Sequence, residues 1–161
     1  MRPAIIIAAT ASVLAVSVSP SLSDDTKPAD AAMSEMKLDK VNWTKTVASA
    51  NFFEIESSKV ALEKSSSEDV KAFAQQMIDD HTNAGEKLAS VLNGEGMPLP
   101  PRELAPKQAT AMEMLKKAEG KEFDTAYIGV QQDAHVEAVS LFKAYAANPD
   151  DAALGLSLIH I

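Results

Sequence analysis

Two histidines and one glutamate are the side chains of this sequence best suited to chemistry. His81 and His135 each fall within the apolar stripe of a helical pattern, and Glu56 falls between Phe53 and Val60. At helical spacing, these three side chains are expected to point inward. Imidazole and carboxylate groups suit transition metals such as iron, zinc or copper. Glu56, His81 and His135 are therefore the candidate metal ligands.

The residues around the histidines argue against a standard di-iron centre. Di-iron carboxylate bundles place a glutamate three residues before a histidine, so that both reach the metal pair. Here Ile78 precedes His81 by three residues, and Gln132 precedes His135 in the same way. A mononuclear metal site is one alternative. The other is a structural network in which each histidine hydrogen-bonds to a polar neighbour, which is the commoner arrangement of buried polar groups.

We expect no catalytic activity from this chain. It has no cysteine, which excludes thiol catalysis and cysteine-ligated zinc or iron–sulfur sites. No Ser-His-Asp arrangement or nucleophile elbow is visible. Glu56 and His81 can in principle form an acid–base pair, but nothing indicates a substrate. Met33 and Met36 have a spacing that binds copper(I), although core filling explains most of the seven methionines better.

Helices must position the candidate ligands. Apolar side chains recur every three or four residues, which predicts helices at about 42–64, 68–93 and 122–147, and a shorter one after Pro106 that Gly120 closes. Long amphipathic helices with short connections predict an all-α fold, an antiparallel four-helix bundle. Three long stripes need a further long helix to cover them, and we expect it to begin near Asp150. Only DAALG follows before the tail, so the last long helix is missing.

The N-terminus has the pattern of a secretory signal peptide. Arg2 precedes an apolar run from Ala4 to Val18, and Ser21 and Ser23 fit the small-x-small rule for cleavage. We expect residues 1–23 to be removed by cleavage near Ser23. The mature protein is then periplasmic or secreted.

The remainder of the chain reads as one acidic domain. Residues 24–40 are polar and weakly patterned, which indicates a flexible leader, and the bundle follows at 41–155. The net charge of −8 disfavours nucleic acid as a partner, because an acidic chain repels the phosphate backbone. No segment after the signal peptide is long and apolar enough to predict a transmembrane helix.

The tail LSLIHI, residues 156–161, does not continue the helical pattern. It is also the peptide that read-through into a sequencing adapter would encode. We therefore expect these residues to be non-native, and His160 is not counted as a ligand. With the last helix missing, the stripes around Leu88 and Phe142 are expected to stay partly exposed. This exposure predicts self-association through that face of the bundle.

Two stretches of the chain share one combination of short motifs. They are NFFEIESSKVALEKSSSEDVKAFAQQMIDDHTNAGEKLASVL and EFDTAYIGVQQDAHVEAVSLFKAYA. The shared pattern consists of Glu54-x-Glu56, Phe73-Ala74, Asp80-His81, Phe123-Asp124 with Tyr127, and His135 eight residues later. This combination resembles the DUF4142 family, and the resemblance covers about 43–147. It implies an exported bacterial protein with a ferritin-like helical bundle and no settled biochemical function.

Three kinds of function are compatible with these observations. The leading hypothesis is an exported binding or stress-protective module without catalysis. The second is a metal-binding redox or storage protein that uses Glu56, His81 and His135. The third is a structural protein that interacts with the cell envelope through the bundle surface.

Overall fold

The computed structural model describes residues 38–151 and Leu154. These residues contain no β-strand, and their helices are α1 (Lys40–Lys64), α2 (Glu68–Gly94), α3 (Pro106–Lys117) and α4 (Gly120–Ala147). The predicted all-α helical bundle is confirmed. The predicted signal peptide, nearly all of the leader and the tail 156–161 lie outside the described residues. None of the described helices has the combined length and apolar character that crossing a bilayer requires.

The two first helices begin at capping residues that the sequence supplies. Asp39 accepts a hydrogen bond from the backbone N–H of Asn42, at 2.9 Å, and so caps α1. Ser67 caps α2 in the same way by accepting from the N–H of Val70, at 3.4 Å. Such caps satisfy backbone donors that lack a partner within the helix. A serine directly before the first acidic turn of a helix is among the residues preferred as an N-cap.

Glycines with positive φ mark two of the helix boundaries. Gly96 has a φ of +67° and follows α2. The next N–H, of Met97, donates to the carbonyl of Leu92 at 2.8 Å, which completes a Schellman motif. Gly120 has a φ of +55°, but it is the first residue of α4 rather than the end of α3. The prediction for Gly120 is therefore wrong, because a glycine in the left-handed region can begin a helix as well as end one.

Helix α1 is the centre of the bundle, since it packs against α2, α3 and α4. One apolar cluster joins all four helices and consists of Phe53, Ala61, Ala74, Met112, Leu115, Phe123 and Tyr127. At the other end, Trp43 is fully buried, stacked on Tyr145 and edge-on to Phe142. The apolar cluster around Phe53 and the aromatic stack around Trp43 therefore hold α4 against both ends of α1.

The buried face of α1 is unusually polar. Between Phe53 and Ala61 it consists of Glu54, Ser57 and Ser58, all less than 5 % exposed. The small serines let α4 approach closely, and their hydroxyls bond across the interface. This face is offset from the apolar stripe that the sequence predicts, because serine carries no hydropathy signal for burial.

A clamp of three carboxylates closes the bundle at the start of α1. The backbone N–H of Lys40 donates to both carboxylate oxygens of Asp150, at 2.9 and 3.0 Å. The Lys40 ammonium donates to Glu95, at 2.8 Å, and to Asp151. These carboxylates hold the pKa of Lys40 above its usual value, with Asp151 the largest cause. The carboxylate clamp thus connects the start of α1 with the residues that follow α2 and α4.

Candidate functional site

A cleft of about 490 Å³ lies between α2 and α4, with α1 at its base. Its apolar wall includes Val47, Ala84, Leu88, Ala138, Leu141 and Phe142. Its polar wall is formed by Asn51, Glu54, Asp80, His81 and His135. An apolar cavity with a few convergent polar groups is the usual form of a small-molecule site. We call this cavity the histidine cleft.

The structure brings the two predicted histidines together. The ring centroids of His81 and His135 lie 5.8 Å apart, and the rings are nearly perpendicular. His135 donates from Nδ1 to the carbonyl of Gln131, at 2.8 Å. His81 Nδ1 lies 3.0 Å from Oδ1 of Asn51. The two rings therefore approach each other from helices on opposite sides of the cleft.

The Asn51 amide determines which nitrogen of His81 carries the proton. Its Nδ2 donates to the backbone carbonyl of His81 at 2.8 Å, so its Oδ1 must face the ring and accept from Nδ1. A neutral imidazole with a proton on Nδ1 has a lone pair on Nε2. The same holds for His135, whose Nδ1 donates to a carbonyl. Both histidines thus have Nε2 available as an acceptor or a metal ligand.

Gly85 makes room for this amide. A Cβ atom at Gly85 would lie 3.0 Å from Nδ2 of Asn51, which is closer than ordinary packing allows. Gly85 is one turn beyond His81 on the same helix. The absence of a side chain at this position therefore lets the amide reach the His81 backbone.

Burial keeps His81 neutral. Burial, the largest cause, and the neighbouring His135 together lower the pKa of His81 to about 4, while Asp80 opposes the shift. At neutral pH the imidazole is therefore uncharged and able to bind a metal or accept a hydrogen bond.

Glu54 is the buried carboxylate beside the histidines. Its side chain is only 5 % exposed, and its Oε1 lies 3.9 Å from Nδ1 of His135, too far for a hydrogen bond. Its Oε2 has no hydrogen-bond partner. Burial raises the pKa of Glu54 to about 7, and the neighbouring His135 and Gln131 limit the rise. A carboxyl group is rarely left with an unpaired oxygen in a protein interior, because that costs free energy.

Two hydrogen bonds extend this polar region along the interface of α1 and α4. Gln131 donates from Nε2 to the hydroxyl of Ser57 at 3.0 Å, and the hydroxyls of Ser58 and Tyr127 lie 2.8 Å apart. The Oε1 atom of Gln131 is buried without a partner. Burial raises the pKa of Tyr127 to about 12, so its hydroxyl stays protonated. The interior of the bundle thus contains paired hydroxyls next to unpaired acceptors.

Glu56 is not next to the two histidines on the cleft side. Its side chain is 36 % exposed and forms an ion pair with Lys59, with 2.7 Å between the charged atoms. It lines a second cavity of about 360 Å³ between α1 and α2, which also reaches His81. Glu56 is thus only half-buried, because the buried face of α1 is offset towards Glu54.

Within the described residues, no group of three or more histidine, aspartate or glutamate side chains is arranged to hold a metal ion. The metal site at Glu56, His81 and His135 stays a prediction. Sequence reasoning did not select Glu54, although Ser57, Ser58 and Ala61 follow it at helical spacing as small residues. That run of small side chains was the available signal for the buried face.

Comparison with known proteins gives a family for the chain. The family model for DUF4142, a domain of unknown function, matches residues 25–156. No curated protein matches the chain, and no solved structure does. The family match covers most of the sequence and includes every residue of the histidine cleft. The chain belongs to the DUF4142 family.

Proposed function

We propose that this chain is an exported binding or stress-protective protein without catalytic activity, and that it takes a small ligand in the histidine cleft. The observation that carries the proposal is the cleft itself, an open and mostly apolar cavity of about 490 Å³ with convergent polar groups at one end. This volume is in the range of small-molecule sites, ~300–1,000 Å³. The proposal of export relies on the signal-peptide pattern of residues 1–23.

Filling the cleft tests the binding function. Ala138 lines the cavity, whereas Ala144 on the same helix is exposed and outside it. The neutral fluorescent probe N-phenyl-1-naphthylamine should bind saturably to the protein and to Ala144→Trp. Binding to Ala138→Trp should be at least tenfold weaker, because the indole occupies the cavity. Equal binding by the two variants, or no saturable binding by the native chain, would overturn the proposal.

A second candidate function is the binding of a transition-metal ion by His81 and His135. The observation that favours it is the hydrogen bond from each Nδ1 to an oxygen atom, which leaves both Nε2 atoms free. Metal-binding histidines usually donate their other nitrogen in this way, and this contact orients the ring. Zinc, copper and iron all accept imidazole ligands. Water or a ligand would complete the coordination.

Titration with Zn²⁺ and with Cu²⁺ by calorimetry tests the metal candidate. The variants His81→Ala and His135→Ala should each bind at least tenfold more weakly than the native protein. Asn51→Ala should weaken binding by roughly 10–100-fold, because it releases the His81 ring. Glu56→Gln shows whether this glutamate contributes as the sequence predicts. Stoichiometric binding that survives both histidine substitutions would eliminate the site.

A further inference from the structure

The unpaired polar atoms beside Glu54 in the histidine cleft are acceptors, whereas Nε1 of Trp43, which lines the cleft beside Phe142, is a buried donor without a partner. Glu54 Oε2 and Gln131 Oε1 are buried without a hydrogen-bond partner. The Nε2 atoms of His81 and His135 carry lone pairs, because each ring donates from Nδ1. A ligand that satisfies these atoms must supply donors.

The protein's own side chains do not supply hydrogen-bond donors to these acceptor atoms. The one lysine or arginine that lines the cleft among the described residues is Lys87, which is exposed and lies almost two turns along α2 from His81. Asp80, on the rim beside His81, is itself an acceptor and is bonded to Gln76. The polar end of the cleft thus favours a positively charged partner.

We propose that the histidine cleft binds a primary ammonium group attached to an apolar body, with the Glu54 carboxylate as its counter-ion. The inference rests on the proposed function of the cleft. A primary ammonium has three N–H donors, which match the Glu54 carboxylate and the imidazole lone pair of His81. The apolar body then lies along Leu88, Leu141 and Phe142, on the apolar wall.

His135 controls access to the carboxylate. Its side chain is 48 % exposed, whereas that of Glu54, 3.9 Å away, is 5 % exposed. Rotation of the exposed imidazole, which breaks its hydrogen bond to the Gln131 carbonyl, would uncover Glu54. The His135 ring therefore acts as a positioning element rather than as the main contact for the ammonium.

A carboxylate ligand would be disfavoured at the same place. It would meet the Glu54 carboxylate and two imidazoles that present lone pairs. The net charge of −8 over the whole chain also attracts cations and repels anions. The charge of the ligand is therefore the property to test.

The test uses three probes that share one chain length and differ in head group: octylammonium, octan-1-ol and octanoate. Each is titrated into the full chain by calorimetry, below its micelle concentration, at about pH 8, where octylammonium is protonated and octanoate is ionised. Octylammonium should bind at least tenfold more tightly than the other two. Octanol or octanoate binding as tightly as the amine overturns the inference, but leaves the binding function of the cleft intact.

Two isosteric variants locate the counter-ion. Glu54→Gln should lose at least tenfold in affinity for octylammonium and keep its affinity for octanol. Glu56→Gln is the matched control, because this half-exposed glutamate lies outside the histidine cleft, and it should bind octylammonium normally. Circular dichroism verifies that both variants are folded. Equal loss in both variants, or no loss in Glu54→Gln, would overturn the role of Glu54.

A third variant separates the amine from a metal ion. His135→Ala removes a metal ligand but uncovers Glu54, so octylammonium binding should be unchanged or stronger while Zn²⁺ binding is lost. Loss of amine binding in this variant would contradict the proposed access route. If none of the three probes binds the native chain, the inference fails, while saturable binding of N-phenyl-1-naphthylamine would still support the cleft as a binding site.

Discussion

Glu54 and His81 give the folded protein opposing responses to pH. The pKa of Glu54 is raised in the fold, so its contribution to stability is greatest at low pH and is lost as pH rises towards about 7. The pKa of His81 is lowered, so its contribution is present above about 6.5 and is lost as pH falls towards about 4. The two effects oppose each other between about pH 4.5 and 6.5. The native chain should therefore show a weaker pH dependence than either residue would produce alone.

Replacing Glu54 should reveal this balance. A rise in pKa from 4.5 to about 7 corresponds to on the order of 3 kcal/mol, at ~1.4 kcal/mol per unit. The free energy of unfolding of Glu54→Gln, relative to that of the native chain, should therefore rise between pH 4.5 and 7 by up to that amount. Urea denaturation of metal-free protein measures it. A flat difference for Glu54→Gln would refute the burial argument.

At the scale of elements, hydroxyl and amide pairs set the alignment of α1 against α4. The Ser58–Tyr127 and Ser57–Gln131 hydrogen bonds are buried and join residues about 70 positions apart. A shift of either helix by one residue would break both pairs and leave their polar atoms buried without partners. Such groups cost free energy, so the pairs specify one alignment.

A double-mutant cycle measures this effect. Tyr127→Phe should destabilise the protein by about 1–2 kcal/mol, because Ser58 loses its partner in a buried site. Ser58→Ala should cost a similar amount for the reciprocal reason. The double variant should be less destabilised than the sum of the two, with a coupling of about 1 kcal/mol in thermal or urea unfolding. Strict additivity would show that the pair contributes nothing specific.

The helices differ in how accurately the sequence predicts their ends and their buried faces. Helix α2 is predicted within a residue at each end, because its apolar stripe, the Ser67 cap and the glycines after it are all local signals. The buried face of α1 is not predicted, because Ser57 and Ser58 are buried only by their partners on α4. The candidate site follows the same rule. The two histidines lie within predicted apolar stripes, whereas Glu54 is buried only by tertiary packing.

At the scale of the whole molecule, the outer face of α4 is more apolar than a solvated helix usually is. Ile128, Val136 and Val139 are 43 %, 56 % and 53 % exposed. The sequence predicts that Leu88 is also partly exposed. Leu88 is instead buried, with 6 % of its surface exposed, because it lies on the face of α2 that packs towards α1. The prediction of self-association therefore stays, but α4 rather than Leu88 supplies the exposed apolar surface.

Charges placed on this face should prevent self-association. In sedimentation velocity, the native chain is expected to show a mass that rises with concentration, since contiguous apolar surface favours contact between copies. The double variant Val136→Lys with Val139→Lys should remain monomeric at the same concentrations, with little change in thermal stability. A native chain that stays monomeric throughout would contradict the prediction.

The carboxylate clamp around Lys40 has a consequence for how the protein opens. Because one lysine holds Asp150 and Asp151 at the end of α4 and Glu95 after α2, local fluctuations of these segments are linked. In native-state hydrogen exchange, the amides of the first turn of α1 and the last turn of α4 should exchange with one common opening free energy. Lys40→Met keeps the backbone N–H that binds Asp150 but removes the ammonium contacts to Glu95 and Asp151, so the two turns should exchange faster and with opening free energies that differ. The bundle end would then change from a single cooperative unit into two separately fraying helix ends.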